Sequence, residues 1–239
     1  MKKIVFFLVL VVIFCTTNAF NSSDWNEKSN EQTETRSIKG YSKILIEGGF
    51  EVILTDEAQG EIKVVANQEI LSWIHTKLEG NTLHCYLDSK KKIQKLKKIT
   101  IYIPSQAIDG VNLIGTGIIK TDKMLVLDQL TCLLNGAGKM NLTIKTTNLT
   151  ASLKGSGSIH LDGTSESSNL KIRGVGSINT ENLISENVNV SLHGVGSITT
   201  YAEKNITGEL KGIGTLNIKG NPKNNRVEKF GIGKISIIQ

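Results

Sequence analysis

From Val111 to Gln239 apolar and polar residues alternate with the period of a strand, and a Gly-x-Gly signature returns seven times. The copies are Gly115/Gly117, Gly136/Gly138, Gly155/Gly157, Gly174/Gly176, Gly194/Gly196, Gly212/Gly214 and Gly231/Gly233. Their first glycines follow one another at 21, 19, 19, 20, 18 and 19 residues, a period that marks stacked repeats. Two residues before the first glycine stand Leu113, Leu134, Leu153, Ile172, Leu192 and Leu210, and only Lys229 breaks that column. Two residues after the second glycine stand Ile119, Met140, Ile159, Ile178, Ile198, Leu216 and Ile235. The expected fold is all-β: a parallel β-helix-like β-solenoid of about seven 18–21-residue rungs over 105–239, with these aliphatics inside.

In an unbroken strand both glycines fall on that inward face, where missing side chains let the sheet bend and a positive φ is tolerated. The motif therefore reads as a structural corner. A dinucleotide phosphate cradle needs a helix after the glycines, and β-branched residues follow instead. A glycine-rich calcium repeat needs an Asp in each short motif, and these have none.

Upstream the pattern is β-rich but less regular. Lys43 to Glu47 and Phe50 to Thr55 alternate about Gly48-Gly49, which predicts a hairpin, and Glu61 to Ala66 predicts a third strand. Ile70, Ile74 and Leu78 are spaced for a helical turn over Gln68 to Leu78, before alternating sets at Leu83, Cys85, Leu87 and at Ile99, Ile101, Ile103. We expect a β-rich amino-terminal cap over 38–104, preceded at 20–37 by a polar, disordered tether.

Gly-Gly-Phe-Glu-Val at Gly48 to Val52, the runs Ile70 to Leu87 and Ile99 to Pro104, and the Gly-x-Gly array with Gly220-Asn221-Pro222 before its last copy carry a resemblance. From about Ser37 to Gln239 the chain resembles the putative autotransporter adhesin, head GIN domain family of exported bacterial proteins. The resemblance implies a β-solenoid and a cell-envelope, adhesin-like protein, and it supplies no catalytic residues. One departure is visible: that family usually has a small polar residue between the glycines, where the later copies here have Val175, Val195, Ile213 and Ile232.

The repeat phase predicts surface columns. Lys154, Arg173, His193 and Lys211 precede the first glycine in four successive copies, a basic ladder suited to an anionic glycan chain or, more plainly, a solvated face. Val175, Val195, Ile213 and Ile232 form either an outward apolar ladder for self-association or docking, or core if a bulge reverses the alternation. Asn141, His160, Asn179, Thr199 and Asn217 form a polar column able to bond side chain to side chain.

Asp162 and Glu181 share a phase in neighbouring copies and are the one candidate acid–base pair for polysaccharide cleavage. Thr143 and Tyr201 occupy that phase on either side and no His or Arg joins it, so the constellation is incomplete. His160 and His193 lie in different phases, and His75 and His84 lack ligand spacing, so no metal or cofactor is expected.

Composition narrows the class. Lys2 and Lys3, the apolar run Ile4 to Phe14, then Thr17 and Ala19 have the order of a secretory signal peptide, assigned to 1–19. The run is too short for an ordinary span of about 20 residues, so no transmembrane segment is expected after its removal. Cys15 as a lipidated cysteine is the alternative, less favoured because Phe14 is a poor fit before it. Cleavage leaves Cys85 and Cys132, either core residues or a single bridge. Net charge is +6, and removal of Lys2 and Lys3 leaves a mild cationic excess that identifies no partner. The Lys90 to Lys98 run, six lysines in nine positions, reads as a charged loop or an anion contact. Aromatics are 5 %, which in an exported chain argues against nucleic acid.

Together these features predict a non-catalytic protein of the periplasm, outer membrane or cell surface, presenting repeated ladders to an anionic glycan or envelope partner. The alternatives are a β-helical polysaccharide-cleaving enzyme using Asp162 and Glu181, and a protein-binding structural or signalling module.

Overall fold

The computed structural model describes residues 30–88 and 98–238. The signal-peptide and Cys15 assignments, and the lysine run apart from Lys98, lie outside them. Among the described residues the strands are β1 (Glu31–Ser37), β2 (Lys43–Glu47), β3 (Glu51–Thr55), β4 (Glu61–Asn67), β5 (Ile74–Glu79), β6 (Thr82–Leu87) and β7 (Thr100–Pro104). The repeat region adds β8 (Gly110–Gly115), β9 (Ile118–Thr121), β10 (Leu125–Gly136), β11 (Lys139–Gly155), β12 (Ser158–Lys219), β13 (Asn224–Lys229) and β14 (Ile232–Ile238). One short helix, α1 (Gln68–Leu71), separates β4 from β5.

The repeats are rungs of one parallel stack. Leu134 pairs with Leu113 below it and Leu153 above it, and Leu153 in turn with Ile172. Both predicted aliphatic columns are buried, except at the last rung, where Ile235 is only partly covered and the inward position belongs to Lys229. No further described rung covers that side, so a charge is tolerated there.

The glycines form the corner. Gly155 has φ +117, and a Cβ there would stand 2.5 Å from the carbonyl oxygen of Gly136 in the adjacent rung. Glycine is needed because the rungs touch backbone to backbone. Ladder bonds such as Ser156 N–H to Gly136 C=O, 2.8 Å, run through the corner.

The second glycines correct the expected motif in two respects. Positive φ is not their general reason, since among the second glycines only Gly176, at φ +159, has it, and Gly117, Gly138, Gly157, Gly196, Gly214 and Gly233 lie outside that range. β12 runs unbroken through Gly174/Gly176, Gly194/Gly196 and Gly212/Gly214 as expected, but β8, β10 and β11 stop at the first glycine, so Gly117, Gly138 and Gly157 fall between strands, while Gly233 lies within β14. Close approach alone excludes a side chain there. A Cβ on Gly117 would stand 2.7 Å from the Phe50 carbonyl oxygen, and one on Gly138 2.6 Å from that of Gly117. Gly157 meets the Gly138 carbonyl and Gly233 the Gly214 carbonyl in the same way. Gly117, Gly138 and Gly157 are buried as expected, whereas Gly233, in the uncovered last rung, is half-buried.

A second corner, with no glycine signature, lies half a rung away. At Thr147-Asn148 and Glu166-Ser167 two consecutive residues face out, so the alternation skips a step. Thr146 Oγ1 donates to the Asn148 carbonyl at 3.3 Å and Ser165 Oγ to the Ser167 carbonyl at 2.9 Å. Those hydroxyls satisfy backbone acceptors that the fold turns inward.

The cap is part of the same stack. β2 pairs in parallel with β8 and β3 with β9, so Lys43 to Thr55 is a solenoid rung and Gly48-Gly49 its corner. The expected hairpin does not form, because each arm finds a parallel neighbour in place of the other arm. In this rung Phe50, fully buried, takes the position of the second glycine, and its carbonyl accepts from Ile118 N–H at 2.8 Å. β6 and β7 add one more layer beneath.

Antiparallel strands then close the end: β4 on β7, β1 on β4, and β5 on β6. Two expectations are corrected here. Residues 31–37 are β1 and not tether, because β4 offers an open edge with which a polar strand can pair; 20–29 lie outside the described residues. The helical turn is confined to α1, since Ile74 starts β5 and Leu78 pairs with Leu83. Arg36 fastens the closure by donating to the Ile74 carbonyl at 2.8 Å and the Leu71 carbonyl at 3.3 Å.

Candidate functional site

The outward columns of the stack are the candidate site. Lys154 and Arg173 are direct register partners on β11 and β12. The glycine contacts Gly194 to Gly174 and Gly212 to Gly194 carry the column on through His193 to Lys211. The predicted ladder is thus assembled in space, but its electrostatics are uneven. Glu209 lies 2.6 Å from His193 Nε2 and 2.6 Å from Lys211 Nζ. Lys211, and then His193, hold the Glu209 carboxyl below its ordinary pKa. Half of the ladder is therefore internally neutralised, and the open cations are Lys154 and Arg173, with Lys171 beside them on the same strand face.

A polar ladder borders this face. Asn205 Nδ2 donates to Asn187 Oδ1 at 2.6 Å, and Asn224 Nδ2 to Asn205 Oδ1 at 2.7 Å. Asn189 bridges Asn169 and Thr207, each at 3.3 Å. Asn169, Asn187, Asn189, Asn205 and Thr207 line an open groove together with Asn148. The amide stacking expected for Asn141, His160, Asn179, Thr199 and Asn217 appears here at the second corner instead. In the expected column Asn179 turns to the Glu181 backbone N–H at 3.0 Å and His160 to Asp162 at 3.2 Å, while Asn217 reaches Thr199 at 3.5 Å. Sequence reasoning missed the amide ladder because its column has no glycine to set the phase.

Between the glycines, Val175, Val195, Ile213 and Ile232 are 54, 46, 54 and 77 % exposed, so the outward reading holds and the core reading does not.

The acid–base candidates are engaged separately. Glu181 is bound by Lys219 at 2.7 Å and by Asn179 at 3.2 Å, which hold its carboxyl below the ordinary value. A general acid in glycoside cleavage needs the opposite shift. Among the described residues no group of three or more His, Cys, Asp and Glu is arranged to hold a metal ion.

Cys132 stacks on Val111, Ile44 and Leu83 in succession, and Cys85 lies two residues beyond Leu83. Three strand spacings of about 4.8 Å exceed the roughly 7 Å that a disulfide spans between Cα atoms. The bridge does not form, and burial pushes both thiols up to about 12.

Comparison with known proteins accords with this architecture. The sequence profile of the family described as putative auto-transporter adhesin, head GIN domain, matches residues 40–222. A putative adhesin from Bacteroides fragilis is similar at 28 % identity and TM-score 0.79, over 87 % of this chain and 97 % of that one. A putative lipid binding protein from Parabacteroides distasonis, at 20 % identity, and a putative adhesin from Parabacteroides merdae, at 18 %, share the fold with TM-scores of 0.69. Each of those two matches covers 89 % of this chain and 98 % of the other. No curated protein matches the chain. Among the described residues no helix is long and apolar enough to cross a membrane, which says nothing about strands.

Proposed function

The chain belongs to the putative auto-transporter adhesin, head GIN domain family, and from that premise we propose that it is an exported, adhesin-like protein of the bacterial cell envelope that binds an anionic polysaccharide by multivalent, non-catalytic contact. The observation that carries this reading is the register of Lys154 with Arg173, beside Lys171 and the Asn169–Asn189–Thr207 ladder. Cations spaced by one rung meet charges repeated along a polymer, and amides and hydroxyls alongside take sugar hydroxyls. Each contact is weak at an exposed surface, so affinity accumulates along the chain ligand.

Binding of the purified chain to an array of neutral and anionic glycans, at low and high salt, tests the proposal against a Lys154→Ala/Arg173→Ala variant. Salt-sensitive binding to acidic glycans that the variant loses supports it. Equal binding by the two proteins, or none by either, removes it.

A further inference from the structure

A ridge of aliphatic side chains runs along the glycine corner of the carboxy-terminal half of the stack. Ile213 and Ile232 are register partners. The contacts of Gly194 with Gly174, Gly196 with Gly176, Gly212 with Gly194 and Gly214 with Gly196 align Val175 and Val195 below them. At about 4.8 Å per rung the four span about 14 Å. Each has glycine on both sides in sequence, so no adjacent side chain shields it. Nearer the amino terminus the same column holds Gly49, Thr116, Ala137 and Ser156, and the apolar character belongs to this end alone.

Phe230, 61 % exposed, extends the ridge, with Lys211 Nζ 5.4 Å from its ring centroid. Cations flank it: Arg173 stands two residues before Val175 and Lys234 two residues after Ile232, while Lys211, two residues before Ile213, is paired with Glu209. The flank that carries Lys234 is otherwise hydroxyl-bearing, with Ser177, Ser197 and Thr215.

A contiguous exposed apolar row marks contact with something apolar. This row is convex, so a partner must yield around it, as a lipid interface does and a small ligand does not. A second copy laid ridge to ridge would set the same cations against each other, whereas anionic headgroups complement them. We propose that this ridge inserts into an anionic lipid surface. Val175, Val195, Ile213 and Ile232 enter the acyl boundary, with Arg173 and Lys234 at the level of the phosphates. Only Arg173 is shared with the polysaccharide face.

The test uses the full chain with phosphatidylglycerol and phosphatidylcholine vesicles. Amino-terminal residues are common to every variant, so the ridge is read from differences. Ile213→Ser/Ile232→Ser is expected to bind phosphatidylglycerol vesicles about tenfold more weakly. An unchanged thermal midpoint and unchanged polysaccharide binding would show that fold and glycan face are intact. Ile232→Trp should blue-shift on binding and be quenched by brominated acyl chains, and Asn169→Trp should not. Vesicle binding that the serine variant retains, or an Ile232→Trp indole that brominated lipid does not quench, overturns the proposal. So does a concentration-dependent dimer that the serine variant abolishes, which would assign the ridge to a second copy.

Discussion

Glu209 Oε1 lies 2.6 Å from His193 Nε2 in the rung beneath, while Glu209 Oε2 lies 2.6 Å from Lys211 Nζ in its own rung. One carboxylate thus occupies two of the four positions in the basic ladder. Replacing it should free them. Glu209→Gln is expected to tighten binding of an anionic polysaccharide roughly threefold to tenfold at low salt, because surface charges contribute about a kilocalorie or less each. The gain should vanish at high salt, and titration of the two proteins with one acidic polymer checks both statements.

Gly155 presses on Gly136 through the stack, and its φ is positive. Gly155→Ala should therefore cost about 2–4 kcal/mol from strain and overpacking together. Gly80 also has positive φ, but a Cβ there meets nothing within 4 Å. Gly80→Ala should cost only about 1 kcal/mol. Denaturant unfolding of the two variants measures the difference, and equal costs would contradict the backbone-contact explanation of the repeat glycines.

That contact explains how much of the fold the sequence disclosed. Glycines recurring with flanking aliphatics announce the rung, its period and its inward columns. They do not announce that Gly117, Gly138 and Gly157 are held by close approach without positive φ, because a spacing carries no backbone angle. The second corner is made by Thr146 and Ser165 hydroxyls bonding carbonyls two residues on, and Ser and Thr occur in too many settings to announce a turn. Lys43 to Thr55 was readable as two strands but not as a rung, since Phe50 replaces the second glycine. Its parallel partners in β6 to β9 lie 39 or more positions away in sequence. The ladder residues were legible as columns. Their neutralisation by Glu209 was not, because that pairing crosses between rungs and columns.

Glu51 joins the cap layers through Lys120 at 2.6 Å and Lys98 at 2.9 Å, which together hold its carboxyl at about 2 against an ordinary 4.5. A carboxyl depressed on folding stabilises the folded state above the unfolded pKa, and that contribution is lost as pH falls through the folded one. Stability should decline between about pH 4.5 and about pH 2 partly through this group. Glu51→Gln should be less stable at neutral pH and should lack that part of the decline. Thermal midpoints across the range test it.

Arg36 ties the two arms of the closing layer through carbonyls at Ile74 and Leu71 and the Thr76 hydroxyl. Arg36→Ala should cost about 2–3 kcal/mol, because charge-assisted bonds to partly buried acceptors are lost. Amide exchange should quicken in β1 and β5 and stay unchanged in β11 and β12. A uniform increase over the whole stack would contradict a local latch.

The account rests on rungs acting together on one polymer, and affinity as a function of ligand length tests this most directly. Anionic oligosaccharides of increasing length, from a single acidic sugar upward, would be titrated against the chain at fixed low salt. Multivalent contact predicts that affinity climbs steeply with length and levels off once the ligand spans the open cations and the adjoining amide ladder, with Lys154→Ala/Arg173→Ala flattening the climb. Equal affinity for the shortest and longest ligands would contradict it.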